Sequence, residues 1–227
     1  DWCRAEGYLQ HDPAKHLRIK FRPRRVVAPE MDALRPVIAA IGTRDAFDLR
    51  DRAVLLLLLD AGLRPGEAAG LDMAPTPGDA HRSAHYVSLP TLRVHVRPKG
   101  GGDGAVETVG IEAQTAEAVR AWLRKREQVA RPGEQALFVN RHGRRFSRQS
   151  LYVMVVDRGA AAGVKGLHPH LFRHRRIGDV VEKLGLDAGC ALARHRSKAT
   201  TANVYGEHAA EVQRAAIRDR APLGRMG

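Results

Sequence analysis

Residues 168–176 read "HPHLFRHRR", which puts three histidines and three arginines into nine positions. Such a cluster can hold a metal, grip an anion or face water. His170 and His174 lie four apart and so share a helix face. The two-histidine zinc pattern needs a glutamate directly after the first histidine, and Leu171 stands there instead. Neither Cys3 nor Cys190 lies beside these histidines in sequence to complete a tetrahedral set. The anion reading does better because other segments join it. "AGLRPGE" places Arg64 at the start of a new helix with Glu67 one turn on. A planar guanidinium held at such a junction suits a phosphate bidentately, although a structural Arg64–Glu67 pair explains the same spacing. Lys99 stands at the mouth of the glycine-rich turn "KGGGDG", and "ARHRSKATTANVY" brings His195 and Tyr205.

These residues need elements to hold them. Pro29 to Ile41 has helical character broken or kinked at Pro36. Phe47 to Ala61 is expected to be a buried helix, and Pro65 to Leu71 opens another with proline in its first turn. The period then shortens: "HYVSLP", "LRVHVRP" and "AVETVGI" read as strands, the last two joined by the glycine turn. Helical spacing returns at Gln114 to Val129, at Ser147 to Ala162 with Ser147 as N-cap, and at His168 to Leu184. Short helices are expected between 187 and 220. Tyr152 falls in a helix whose neighbours Leu151, Val153 and Met154 read as core. The fold class is therefore mainly α with a small antiparallel sheet.

The chain has 227 residues and carries 38 Lys+Arg against 25 Asp+Glu, a net charge of +13. That excess attracts polyanions, nucleic acid before all. No apolar run approaches the ~20 residues of a membrane span. Two cysteines make no disulfide framework and suit a reducing cytoplasm. From Lys15 to Arg25 the chain carries no acid, and Arg18, Lys20, Arg22 and Arg24 recur at every second residue. In an extended chain they share one side, as a backbone-tracking arm or as a solvated linker. Residues 1–14 read as the end of a helix running into a turn, 15–25 as a basic linker and 26–227 as one domain, with residue 1 expected to be a cut end.

Taken in order, "AGLRPGE", the hairpin lysine, "HPHLFRH" and "ARHRSKATTANVY" resemble the motifs of the tyrosine recombinase (phage integrase) catalytic domain. The match runs from about residue 26 to 220. Two departures stand out. Where the family usually reads Leu-Gly-His, this chain has Ala193-Arg194-His195, and the interval from His195 to Tyr205 is one residue longer than usual. The resemblance implies the DNA breaking-rejoining fold and a strand transferase working through a 3′-phosphotyrosine, without metal or nucleotide cofactor. It implies Tyr205 as nucleophile, Arg64 and Arg173 as phosphate clamps, His195 as a further donor, His170 as proton acceptor and Lys99 as general acid. Arg18, Lys20, Arg22, Arg24, Arg144, Arg145, Arg175, Arg176 and Arg196 are expected to contact the DNA backbone. The implied partner is double-stranded DNA at a specific site, met by a monomer that becomes a tetramer on synapsed DNA, in the nucleoid. A type IB topoisomerase shares this chemistry, and a DNA-binding regulator with a decayed site is the non-enzymatic alternative.

Overall fold

One buried helix organises the molecule. A computed structural model describes residues 2–11, 13, 29–75, 85–97 and 106–194. After the short α1 (Trp2–Ala5), α2 (Met31–Ala39) leads to α3 (Ala46–Asp60), whose N-terminus is capped by Asp45 accepting from the Phe47 and Asp48 amides at 2.8 and 3.2 Å. Apolar side chains surround α3 on nearly every side: Ala53, Val54, Leu55, Leu57 and Leu58 have no exposed surface. A helix apolar all round must be wrapped by others, and α5 (Ala113–Arg126) and α7 (Pro169–Leu184) do so. Trp122 of α5, Phe172 of α7 and Phe138 complete the core. The Trp122 indole donates to the Leu137 carbonyl at 2.8 Å, so its one polar group is satisfied on burial.

Between α4 (Pro65–Ala69) and α5 lies a three-stranded antiparallel sheet in the order β1 (Tyr86–Ser88), β2 (Arg93–Val96), β3 (Glu107–Gly110). Val94 pairs with Val87 on one side and Val109 on the other, and Val94 and Val96 are buried as period two requires. The chain then forms α6 (Arg148–Ala161), α7 and α8 (Leu186–Ala193). Ser147 caps α6 by accepting the Ser150 amide at 3.0 Å, as its sequence position foretold.

Three expectations need amendment. First, α2 runs through Pro36 without a break, because the lost hydrogen bond falls on a carbonyl of the helix's first turn. Second, Val153 and Tyr152 are exposed, whereas Leu151, Met154 and Val155 are buried. The 3.6-residue period turns the first pair away from the stripe formed by the other three. Third, several arginines that give the chain its charge are internal. Arg50 and Arg158 close on buried Asp51, at 2.6 and 2.7 Å, fastening α3 to α6. Arg126 is spent on the carbonyls of Glu134 and Ala136. Buried cations survive only when their donors are paired. The basic arm at 15–25, the Lys99 turn and everything after Arg194 lie outside the described residues.

Candidate active site

The site is assembled where three helix ends meet. Gly62 leaves α3 with φ +57°, a conformation that favours glycine, and the chain reaches Arg64, the N-cap of α4, in extended conformation. Pro65 occupies the first helical position, where its missing amide hydrogen is no loss. Glu67 reaches back so that one carboxylate oxygen accepts the Arg64 amide at 2.7 Å and the other pairs with the Arg64 guanidinium at 2.8 Å. The structural Arg–Glu pair is therefore real, and it leaves one side of the guanidinium for other partners. That side donates to the carbonyls of Ala193 and Arg194 at 3.3 and 3.1 Å.

Arg173 arrives at the same place from α7. His168 is the extended N-cap of that helix, Pro169 its first residue, and His170 and Arg173 fall one turn apart. The Arg173 side chain is only 5% exposed and donates to the Gly62 and Ala193 carbonyls. Both arginines thus share the Ala193 carbonyl oxygen, which stands two residues before His195 in the chain. Arg64 and Arg173 meet on one carbonyl, and Arg64 and His170 line one cleft. Lys99, His195 and Tyr205 lie outside the described residues.

A cleft of about 380 Å³ opens in front of Arg64 and Glu67, walled by His85, Arg97, Arg148 and His170. Glu67 is the single acid among its described lining residues, and two arginines already pair with it: Arg64 and, from the end of α8, Arg194. The cleft is therefore strongly positive, suited to an anion bearing more than one charge. The His170 pKa is pushed below the ordinary imidazole value, first by partial desolvation, then by the charges of His168, Arg148, Arg173 and Arg64. A neutral imidazole accepts protons, so cationic surroundings keep this one available as a base at lower pH than usual. If His170 accepts the nucleophile's proton, cleavage should stay on its plateau as pH falls through 6.5 and fail only below it. The check is a single-turnover rate–pH profile of wild type against His170→Gln, whose acid limb should vanish. His85 is shifted the same way, by desolvation above all, and its buried Nδ1 has no hydrogen-bond partner among the described residues.

The remaining basic residues divide. Arg144 is exposed. Arg145 pairs with buried Asp72 and donates to the carbonyls of Ala69 and Leu71, yet 39% of its side chain stays exposed. Arg175, expected to face DNA, is instead buried and held by Asp179, by Glu182 at 3.1 Å and by Glu30 at 3.1 Å. Asp179 and Glu182 come from the next turns of the same helix, and only Glu30 reaches Arg175 from a distant segment. Arg176 leans toward Asp60 at 3.9 Å and packs over Gly62. Arg18, Lys20, Arg22, Arg24 and Arg196 lie outside the described residues.

Sequence reasoning missed His85, Arg97 and Arg148 as cleft residues. Arg97 was within reach, because it ends the segment "LRVHVR" that reads as a strand, two positions before Lys99 in sequence. Arg148 follows the Ser147 cap on the first turn of α6, a weaker signal. Nothing local marks His85, which is set in place by Asp72 donating its amide to the His85 carbonyl at 2.7 Å.

Comparison with known proteins agrees with this geometry. Residues 30–211 match the phage integrase family. The chain is 32% identical over 199 residues to the tyrosine recombinase XerC of Pseudomonas aeruginosa PAO1, covering 86% of this chain and 60% of that protein. XerC of Azotobacter vinelandii is 33% identical over 198 residues, with 86% and 61% covered. The chain thus spans about three fifths of the length of these curated relatives. Among solved structures, XerA recombinase superposes with a TM-score of 0.69 at 23% identity over 89% of this chain and 68% of that one. The Tn1549 transposon integrase in complex with transposon right end DNA gives 0.67 at 16% identity, over 93% and 71%. With its fold shared by recombinases and the family's motifs matched across most of its length, the chain belongs to the phage integrase family of tyrosine recombinases.

Proposed function

We propose that this chain is the catalytic part of a site-specific recombinase that cuts and rejoins DNA strands through a covalent 3′-phosphotyrosine. The observation that carries the reading is the meeting of Arg64 and Arg173 on one carbonyl, beside His170 and a strongly positive cleft. Phosphoryl transfer gathers negative charge on the non-bridging oxygens, and rigid donors aimed there lower the barrier. Arg64 and Arg173 are the clamps. The Ala193 carbonyl oxygen they share stands in for a phosphate oxygen until DNA arrives.

In the reaction Tyr205 attacks the scissile phosphorus with loss of its proton to His170. The phosphorus–O5′ bond breaks, and the departing 5′ oxygen takes a proton from Lys99. The new phosphotyrosine conserves the bond energy, so attack by a second 5′ hydroxyl rejoins the strand without ATP. His195 adds a hydrogen bond to the phosphate. Arg144 and the part-exposed Arg145, with the cations at 18–24 and Arg196, support the duplex electrostatically, while buried Arg175 holds the fold. The enzyme acts in the nucleoid, as a monomer that assembles into a tetramer on two synapsed sites.

Incubating the protein with a labelled nicked duplex should yield a denaturation-resistant adduct, and a plasmid with two copies of its site should recombine. Relaxation of supercoils without recombination would favour a type IB topoisomerase. Retention of DNA with no adduct would point to a DNA-binding regulator.

A further inference from the structure

Arg194 stands where the family usually has glycine, and the structure shows what the arginine does there. It is the C-cap of α8 in the left-handed region, φ +48° and ψ 45°, a conformation that L side chains rarely adopt. Such a departure persists only where surrounding contacts hold it. Its side chain is 3% exposed, although it is a guanidinium at the edge of a cleft. One end of it pairs with Glu67, and its Nε lies 3.4 Å from a Glu107 carboxylate oxygen on β3. Glu67 is the same residue that holds both the amide and the guanidinium of Arg64. The left-handed turn also aims the Ala193 and Arg194 carbonyls at Arg64.

We propose that Arg194 is a positioning residue for strand cleavage: it pins Glu67, and through it Arg64, and ties this unit to β3. Arg64, Glu67, Arg194 and Glu107 form a line of alternating charges whose sum is zero. Remove Arg194, and Glu67 loses one of its two cations while Glu107 is left as an unbalanced anion close to the phosphate clamp. Glycine would relieve the backbone there but could do neither job. The departure at 194 and the glutamate at 107 are therefore a matched pair. The inference rests on the recombinase reading, because its consequence is read in the cleavage rate.

The experiment compares wild type, R194G, R194K and E107Q on one nicked duplex. Dissociation constants come from fluorescence anisotropy, and the rate of adduct formation is taken at saturating DNA. Small misplacements of a clamping group cost on the order of 10–100-fold in rate. R194G should lose about that much with its dissociation constant unchanged, because ground-state binding is spread over many phosphate contacts. R194K keeps a charge for Glu67 but cannot bridge both carboxylates, so its rate should fall between the two. E107Q should slow the same step to a smaller extent. A rate for R194G equal to wild type, binding lost in proportion to rate, or R194K no better than R194G would each overturn the proposal. If R194G does not fold, E107Q decides alone, and a wild-type rate in that variant overturns it. A wild-type protein that forms no adduct would refute the recombinase reading itself, an outcome distinct from variants that match an active wild type.

Discussion

Tyr205→Phe should abolish adduct formation on a nicked duplex while leaving DNA affinity within about twofold, since a single hydroxyl is among many contacts that are mainly electrostatic. The expectation is total loss because no second group can replace a covalent nucleophile. The described tyrosines are poor rivals. Tyr8 lies just past the short α1, and Tyr86 sits in β1 with its ring stacked on His95 at 4.3 Å between centroids. Tyr152 is the serious one, being exposed on α6 and stacked on His168, which meets His170 edge-on at 6.4 Å. It lies one turn beyond Arg148, a residue of the cleft wall. Digestion of the adduct and mass spectrometry separate the two: modification should fall on the peptide containing Tyr205, and Tyr152→Phe should still form it. The extra residue between His195 and Tyr205 would rotate a continuous helix by about 100°. An adduct on Tyr152, or one surviving Tyr205→Phe, would overturn the assignment.

Arg173→Ala should be the most damaging substitution among the described residues, because it acts on both folding and chemistry. The guanidinium satisfies the Gly62 and Ala193 carbonyls, which join α3, α7 and α8. Leaving a buried acceptor unpaired costs about 1–3 kcal/mol. Loss of one charge-stabilising donor costs roughly 10²–10³ in rate. Thermal denaturation should show the first effect and single-turnover cleavage below the melting range the second. Arg173→Lys restores a charge but not the planar fork that reaches two carbonyls at once, so it should recover stability better than rate. A variant that loses stability yet cleaves normally once folded would reduce Arg173 to a structural tie.

The legible and illegible parts of this protein follow a physical division. Helix positions, the strand alternation around Val94 and Val96, the Ser147 cap and the proline-led starts of α4 and α7 were readable, because each depends on side chains within a few residues. Arg64, His170 and Arg173 were readable as chemistry because helix spacing and the family's ordered motifs both select them. Partnership over long separations was not. Nothing near Arg175 in sequence points to Glu30, and nothing near Arg145 to Asp72, yet the folded chain pairs them. Arg194 shows the same limit from the other side. The sequence by itself marked position 194 as a departure from the family. Only tertiary structure, by bringing Glu67 and Glu107 together from separate elements, decided that its charge is buried beside the phosphate clamp. Local propensity acts along the chain, whereas the fate of a charge depends on which opposite charge the folded chain brings within a few ångströms.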